Sequence, residues 1–261
     1  MVNEGSVPLL VSFPHAGTEI PASIAARMSA AARAVPDTDW HLPRLYEFAR
    51  AIGASTLQPR FSRYVIDLNR PPDDASLYPG LATTGLCPLD TFAGDPLYRP
   101  GQAPGPDEIA DRRELYWEPY HAMLANELDR MRERHGIALL LDAHSIASRV
   151  PRLFDGQLPD FNLGTHDGRS CALNMQAELL RALQQHPEYT HVVDGRFKGG
   201  YITRHYGRPA DRFHAFQVEL TQRTYMDETP PFAYRPDLAQ SVRPVLDALI
   251  RAALDWAWNE T

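Results

Sequence analysis

Apolar and polar positions alternate along this chain in blocks that read as strands followed by helices. The longest unbroken apolar stretch, Gly136-Ile137-Ala138-Leu139-Leu140-Leu141, runs into Asp142-Ala143-His144-Ser145. A run with no polar alternation reads as a strand buried on both faces, the kind found inside a parallel sheet. Pro8-Leu9-Leu10-Val11-Ser12-Phe13 is a second such run, followed by Pro14-His15. Each run therefore brings a histidine to the carboxyl end of a strand, the edge where open α/β sheets bind ligands.

The stretches between these runs predict the rest of the architecture. Residues 22–34 are Ala-rich and read as a helix stopped by Pro36. Leu42, Leu45, Tyr46, Phe48, Ala49 and Ile52 have amphipathic helical spacing up to Gly53, with Asp37 or Asp39 as the cap. Residues 62–68 read as a strand leading into Asn69-Arg70-Pro71-Pro72, and from there to Pro106 the prolines and glycines predict a long irregular excursion of the binding-loop type. Helical spacing returns over 107–135, with Pro119 expected to kink or split it. A helix over 170–185, a strand over 190–194, a Gly-rich loop over 198–207, a strand over 215–220 and a closing helix over 236–258 complete the reading. Strands alternating with helices predict a single α/β domain over 1–261, a mostly parallel mixed sheet with helices on both faces.

Composition narrows function more than fold. A formal net charge of -7 and the lack of any long Lys/Arg block leave no footprint for a polyanion, so nucleic acid is not an expected partner. Cys87 and Cys171 form no Cys-x-x-Cys motif and are expected to be reduced thiols in a cytoplasmic protein. The start has no basic-then-apolar leader and no run reaches membrane-spanning length, so a monomer or small homo-oligomer acting on a small molecule is expected, without a membrane.

The chemistry lies in a few polar residues at apolar strand ends. A hydrolytic metal site takes about three His or Asp/Glu ligands and leaves a position for water. His15 and His144 can converge on such a cation if their strands are near neighbours, with Asp39 as the first candidate for the third ligand and Asp37 and Glu19 as alternatives. Taken singly, such histidines are more often structural, and an acid before a helix is more often a cap. Arg63 and Asn69-Arg70 suit a substrate carboxylate, which arginine meets with two parallel hydrogen bonds; a salt bridge to one of the 33 acids is the plain alternative. Glu219 interrupts an apolar strand, where a charge is costly unless paired or functional, and it is a candidate general base.

As a set, Ser12-Phe13-Pro14-His15-Ala16-Gly17, Asp37-Thr38-Asp39-Trp40-His41, Ser62-Arg63-Tyr64-Val65-Ile66-Asp67-Leu68-Asn69-Arg70-Pro71, Leu141-Asp142-Ala143-His144-Ser145, Gly199-Gly200-Tyr201-Ile202-Thr203-Arg204-His205-Tyr206-Gly207 and Gln217-Val218-Glu219-Leu220 resemble the N-formylglutamate amidohydrolase family over nearly the whole chain. The resemblance implies a three-layer phosphorylase/hydrolase-like fold similar to zinc carboxypeptidases and aspartoacylase. It implies one divalent metal, zinc first with iron or cobalt as alternatives. It implies hydrolysis of N-formyl-L-glutamate to L-glutamate and formate, the last step of one route of histidine degradation. His15 and His144 match the metal histidines of those relatives, Arg63, Asn69 and Arg70 their substrate-binding set, and Glu219 their base. The His15-to-Glu19 spacing is one residue longer than their His-x-x-Glu, which turns the choice to Asp39. On this reading Arg63 is a second oxyanion donor, Asp142 orients a ligand histidine, and Arg204, His205 and Arg149 are candidates for the substrate's side-chain carboxylate. A hydrolase for another N-acyl acidic amino acid, or a metal-free dicarboxylate-binding protein, are the rival readings.

Overall fold

The computed structural model describes residues 2–77, 80 and 83–260. Its strands are β1 (Val2–Asn3), β2 (Leu9–Ser12), β3 (Ser55–Leu57), β4 (Ala138–Ile146), β5 (Phe161–Gly164), β6 (His191–Val193) and β7 (Phe213–Thr221). They form one sheet in the order β1-β3-β2-β4-β7-β5-β6. The sheet is mixed: β2 runs parallel to β3 and β4, β4 to β7, and β5 to β6, while β1 is antiparallel to β3 and β5 to β7. The helices are α1 (Ala22–Ala25), α2 (Ala30–Arg33), α3 (Leu42–Leu45), α4 (Phe48–Ile52), α5 (Pro106–Arg112), α6 (Glu118–His135), α7 (Leu173–Gln184), α8 (Tyr201–Tyr206) and α9 (Pro236–Glu260). None is long and apolar enough to cross a membrane.

The unbroken apolar run of β4 follows from two covered faces. Leu139 and Leu141 share a core with Leu9, Val11, Phe216 and Val218 beneath α3, α4, α7 and α9. Ala138 and Leu140, with Leu10 and Ala215, pack on Trp117, Tyr120, Leu124 and Leu128 of the α6 side and on Ile202 of α8. Each fully buried aliphatic side chain in these rows contributes about 1.5–3 kcal/mol. Successive strand residues point to opposite faces. Asp142 and His144 therefore extend the α6–α8 row of β4, and Gln217 and Glu219 extend that of β7. The parallel register pairs Asp142 with Gln217 and His144 with Glu219. Four polar side chains thus emerge together where the two apolar rows stop.

Several local expectations are corrected. The Ala-rich stretch is two short helices, α1 and α2, and the next predicted helix is broken into α3 and α4. The residue before α3 is His41, in the left-handed region at φ 62°, so neither Asp37 nor Asp39 caps it; Gly53, at φ 94°, does end α4. Residues 62–68 form no strand. The Tyr64 amide donates to Ser62 Oγ at 3.2 Å and the Val65 amide to the Ser62 carbonyl at 2.9 Å, curling the segment into a turn. The place beside β2 belongs instead to β3, whose three residues are too few to give a periodic signal. The excursion holds as expected, with no helix or strand between β3 and α5 among the described residues. The predicted long helix is split into α5 and α6 by a π-helical turn at Arg113–Trp117, leaving Pro119 in the first turn of α6, where its missing amide costs least. The Gly-rich 198–207 loop is corrected in part, since α8 begins immediately after Gly200.

Candidate metal centre and substrate pocket

His15 lies just past β2, Asp39 precedes α3 and His144 sits near the end of β4. Backbone bonds knit the three together: the Asp39 amide donates to the His15 carbonyl at 3.1 Å, and the Ser145 amide donates to Asp39 Oδ2 at 3.2 Å. The Nδ1 atoms of His15 and His144 face each other at 3.1 Å, and Asp39 Oδ2 lies 3.2 Å from the second and 3.8 Å from the first. All three residues are buried. This is the one cluster of His, Cys, Asp and Glu with the separations of a cation site among the described residues.

Two further carboxylates fix the imidazoles. Asp67 Oδ1 accepts from His15 Nε2 at 2.7 Å, and Asp142 Oδ1 accepts from His144 Nε2 at 2.9 Å. Burial alone would raise the Asp67 carboxyl, yet His15 and Arg63 hold it well below the usual carboxylate range, so it is an ionised acceptor and His15 Nε2 is the donor. Burial lowers His15, with Arg63 adding to the effect against Asp67 and Asp39. Burial pulls His144 the same way, but Asp142 and Asp39 outweigh it and raise the group well above its ordinary value. Asn69 Nδ2 also reaches Asp142 Oδ2 at 3.1 Å and lies 2.8 Å from His144 Nε2. Since Asn69 Oδ1 is taken by the Ile202 amide at 2.8 Å, the carboxylate is the acceptor shared by both donors.

With each Nε2 committed, two Nδ1 atoms and a carboxylate oxygen face one small space, and the raised proton affinity of His144 places a hydrogen on its Nδ1 when no cation is there. Asp39 Oδ1 is buried there with no hydrogen-bond partner. Three donor atoms so close together draw in positive charge, a proton on His144 or a cation in its place. Ligands bound to zinc at about 2.0–2.2 Å in tetrahedral geometry stand roughly 3.3–3.6 Å apart. The observed separations of 3.1, 3.2 and 3.8 Å bracket that spacing, so these residues fit a divalent cation.

The cluster opens on a pocket whose lining includes His15, His144, Glu219, Gln217, Arg63 and Arg70. Gln217 Nε2 donates to Glu219 Oε2 at 3.2 Å, and its Oε1 accepts from the Gly200 amide at 2.8 Å, which fixes the amide's orientation. Burial lifts the Glu219 carboxyl to about 8, with His144 and Arg63 opposing and Asp39 and Asp142 adding to the rise. Arg63 donates to Asp67 Oδ2 at 2.7 Å. Arg70 is braced by the Thr84 carbonyl at 2.7 Å, Thr84 Oγ1 at 3.0 Å and the Asn69 carbonyl at 3.2 Å. Arg63 and Arg70 both line the pocket because the chain between them turns.

Other candidates stand elsewhere. Asp37 accepts from Tyr64 Oη at 2.6 Å and the Phe92 amide at 2.7 Å, and Glu19 pairs with Arg60 at the surface at 2.7 Å. Arg149 is exposed and reaches Gln157 at 3.1 Å. Arg204 donates to the Gly199 carbonyl at 2.8 Å and the Leu77 carbonyl at 3.1 Å, and exposed His205 stacks on Tyr201. Arg149, Arg204 and His205 are absent from the pocket lining, where Arg196 appears instead. Sequence reasoning passed over Asp67, Gln217 and Arg196 as site residues. An acid amid apolar residues 64–68 was a usable signal for Asp67, the same one that singled out Glu219; Arg196 carried none.

The fold and site define an α/β amidohydrolase with a buried His–Asp–His cluster at the carboxyl edge of a mixed sheet. Residues 7–226 match the family model described as N-formylglutamate amidohydrolase. The chain is 53% identical over 254 residues to the N-formylglutamate deformylase of Pseudomonas putida, covering 97% of this chain and 95% of that one. It is 54% identical over 252 residues to the N-formylglutamate deformylase of Pseudomonas aeruginosa, covering 97% and 94%. The crystal structure of N-formylglutamate amidohydrolase from Ralstonia eutropha JMP134 superposes with a TM-score of 0.84 at 26% identity, covering 100% of this chain and 99% of that one. The chain belongs to the N-formylglutamate amidohydrolase family.

Proposed function

We propose that this protein hydrolyses N-formyl-L-glutamate to L-glutamate and formate, the last step of one route of histidine degradation. The observation that carries this reading is the buried, convergent His15–Asp39–His144 set, next to a pocket that holds Glu219, Arg63 and Arg70. Relatives named N-formylglutamate deformylase, more than half identical over nearly their whole length, support the choice of substrate. His15, Asp39 and His144 are the ligands for a divalent cation, zinc being the first choice for two imidazoles and a carboxylate and iron or cobalt the alternatives. The strand-end placement of these donors on a helix-covered mixed sheet also supports kinship with the zinc carboxypeptidase architecture.

When bound, the cation supplies Lewis acidity, easing deprotonation of water and polarising the formyl carbonyl. Glu219, held by Gln217, takes the proton as the water oxygen attacks the formyl carbon, then delivers it to the nitrogen as the C–N bond breaks. Arg63, anchored by Asp67, stabilises the negative charge that develops on the carbonyl oxygen. Each of the three Arg70 nitrogens spends one hydrogen on its braces, so each terminal nitrogen keeps one for the substrate α-carboxylate. Asn69, its amide committed to Asp142 and Ile202, shapes this end of the pocket. The test is formate release from N-formyl-L-glutamate with and without chelator. Release that chelation stops and zinc restores is expected, with N-acetylglutamate a poor substrate. Failure of the metal-loaded protein to release formate overturns the reading.

A further inference from the structure

The long excursion between β3 and α5 reaches the substrate pocket through Phe92, a half-buried residue in a tight turn. In that turn the Gly94 amide donates to the Thr91 carbonyl at 3.0 Å and the Asp95 amide to Thr91 Oγ1 at 3.0 Å. The Phe92 amide donates to Asp37 Oδ2 at 2.7 Å, the oxygen that also accepts from Tyr64 Oη at 2.6 Å. Arg152 Nη1 donates to the Thr91 carbonyl at 2.6 Å. The turn is therefore tied both to the segment that carries Arg63 and to the loop that follows β4. Building on the deformylase reading, we propose that Phe92 limits the acyl group to formyl: its ring, with Ile146, is the partition between the substrate pocket and a neighbouring apolar cavity that would otherwise take a longer acyl chain.

Phe92 stands beside the groups assigned to the reacting carbonyl. The Arg63 guanidinium carbon lies 4.8 Å from the centre of its ring, so the donor for the developing oxyanion is packed against it. Ile146 lies two residues beyond His144 on β4 and so shares its face. Phe92 and Ile146 belong to one apolar cluster, and their side chains offer a substrate no hydrogen-bonding group. An amide held between Glu219 and Arg63 has two ends. The glutamate end carries carboxylates and needs donors such as Arg70, which leaves the hydrocarbon wall to the acyl end. Both Phe92 and Ile146 also line a second cavity, whose other walls include Pro36, Ala147, Val150, Pro230 and Phe232. A formyl hydrogen needs no space beyond the ring, whereas a methyl or longer chain has to displace it. The bonds to Asp37 and Arg152 oppose that displacement, as overpacking is opposed in any well-held site.

The test follows release of L-glutamate, the product common to N-formyl-, N-acetyl- and N-butyryl-L-glutamate, from the metal-loaded wild type, Phe92→Ala and Phe92→Leu. The wild type is expected to favour formyl over acetyl in kcat/KM by about 10–200-fold, with butyryl poorer still. Phe92→Ala is expected to lower the formyl-to-acetyl ratio by about tenfold or more, through a rise in the acetyl and butyryl rates themselves, because the ring no longer separates the two cavities. Phe92→Leu keeps apolar cover over Arg63 with a smaller side chain, and its ratio is expected to fall between the two. It also carries the test if the alanine variant does not fold. Calorimetric binding of N-butyryl-L-glutamate and L-glutamate makes the comparison without turnover, and both variants are expected to gain affinity for the butyryl compound relative to glutamate. An unchanged formyl-to-acetyl ratio, or an unchanged butyryl-to-glutamate affinity ratio, overturns the assignment. So does a ratio that falls only through loss of formate release, which would make the ring a support for Arg63 and nothing more. Absence of formate release from wild type instead overturns the deformylase reading on which the proposal rests, so the two failures are distinct.

Discussion

Asp67 accepts the Nε2 hydrogen of His15 at 2.7 Å while its other oxygen receives Arg63 at 2.7 Å, so one buried carboxylate aligns both a candidate metal ligand and a pocket-lining cation. It also accepts the Asn69 amide at 2.9 Å. Carboxylate partners of ligand histidines typically account for 10–100-fold in metal affinity, and Asp67→Asn is expected to lose about that much. Competition with a chromophoric chelator measures it. Because Arg63 is released as well, kcat should fall further than metal loading alone explains, and full metal saturation should not restore it.

Glu219 faces His144 across paired strands and is held by Gln217, on the same face of β7. Glu219→Gln keeps the shape and removes the proton acceptor. Formate release is expected to fall by about 10²–10⁴-fold, with metal content and KM near wild type. A variant turning over at near wild-type rate would exclude Glu219 as the base.

Much of this site was legible in the sequence because burial on both sheet faces leaves a plain signature. The apolar runs before His144 and around Glu219 marked central strands, and polar residues at their ends had to be either paired or useful. The same logic failed at residues 62–68, where an apolar composition was read as a strand. That segment is buried through a turn, by the Arg63–Asp67 pair and by side-chain capping, none of which has a period. Asp39 joins the two histidines as the spacing suggested, but not as a helix cap, a position taken by the left-handed His41, a backbone feature that composition does not announce. Arg196 was out of reach, since its place depends on two irregular loops meeting at Leu153.

Gly200 lies where α8 leaves its loop, and a β-carbon there would stand 2.4 Å from Asn69 Nδ2. That amide spans Asp142 and Ile202, so the clash reaches the partner of His144. Overpacking of this kind typically costs about 1–3 kcal/mol. Gly200→Ala is expected to lower Tm in proportion and to weaken metal binding together with it, which thermal melts at several zinc concentrations would read out.

Asp39 Oδ1 has no protein donor, and without a cation the facing His15 and His144 nitrogens and Asp39 Oδ2 are left with only a proton to share. Metal removal should therefore leave a folded but less stable protein. A cation present at a thousand times its dissociation constant stabilises by about 4 kcal/mol. Chelation is expected to lower Tm accordingly, and His15→Ala is expected to abolish the metal-dependent part of the shift. An identical Tm with and without chelator, in protein shown by elemental analysis to load metal, would contradict the buried-donor geometry.

His121 provides a pH dependence that lies apart from the cation cluster. Its Nε2 donates to the Leu68 carbonyl at 2.9 Å, its Nδ1 lies 3.0 Å from Tyr206 Oη, and its ring stacks on Trp117 with centroids 3.7 Å apart. Burial is the main cause that lowers this imidazole to about 4, with the Leu68 bond opposing it. Between that value and the ordinary 6.5 the unfolded chain binds a proton that the folded one refuses. Stability is therefore complete above pH 6.5 and declines as the pH falls towards 4. The gap corresponds to about 3 kcal/mol. His214, lowered to about 4 by burial and by Arg212, acts in the same direction. His121→Asn offers an amide donor without a titrating group. Urea unfolding from pH 7.5 to 4.5 is expected to show a lower starting stability and a shallower acid slope than wild type. Parallel slopes would mean that the protonated imidazole is accommodated in the fold.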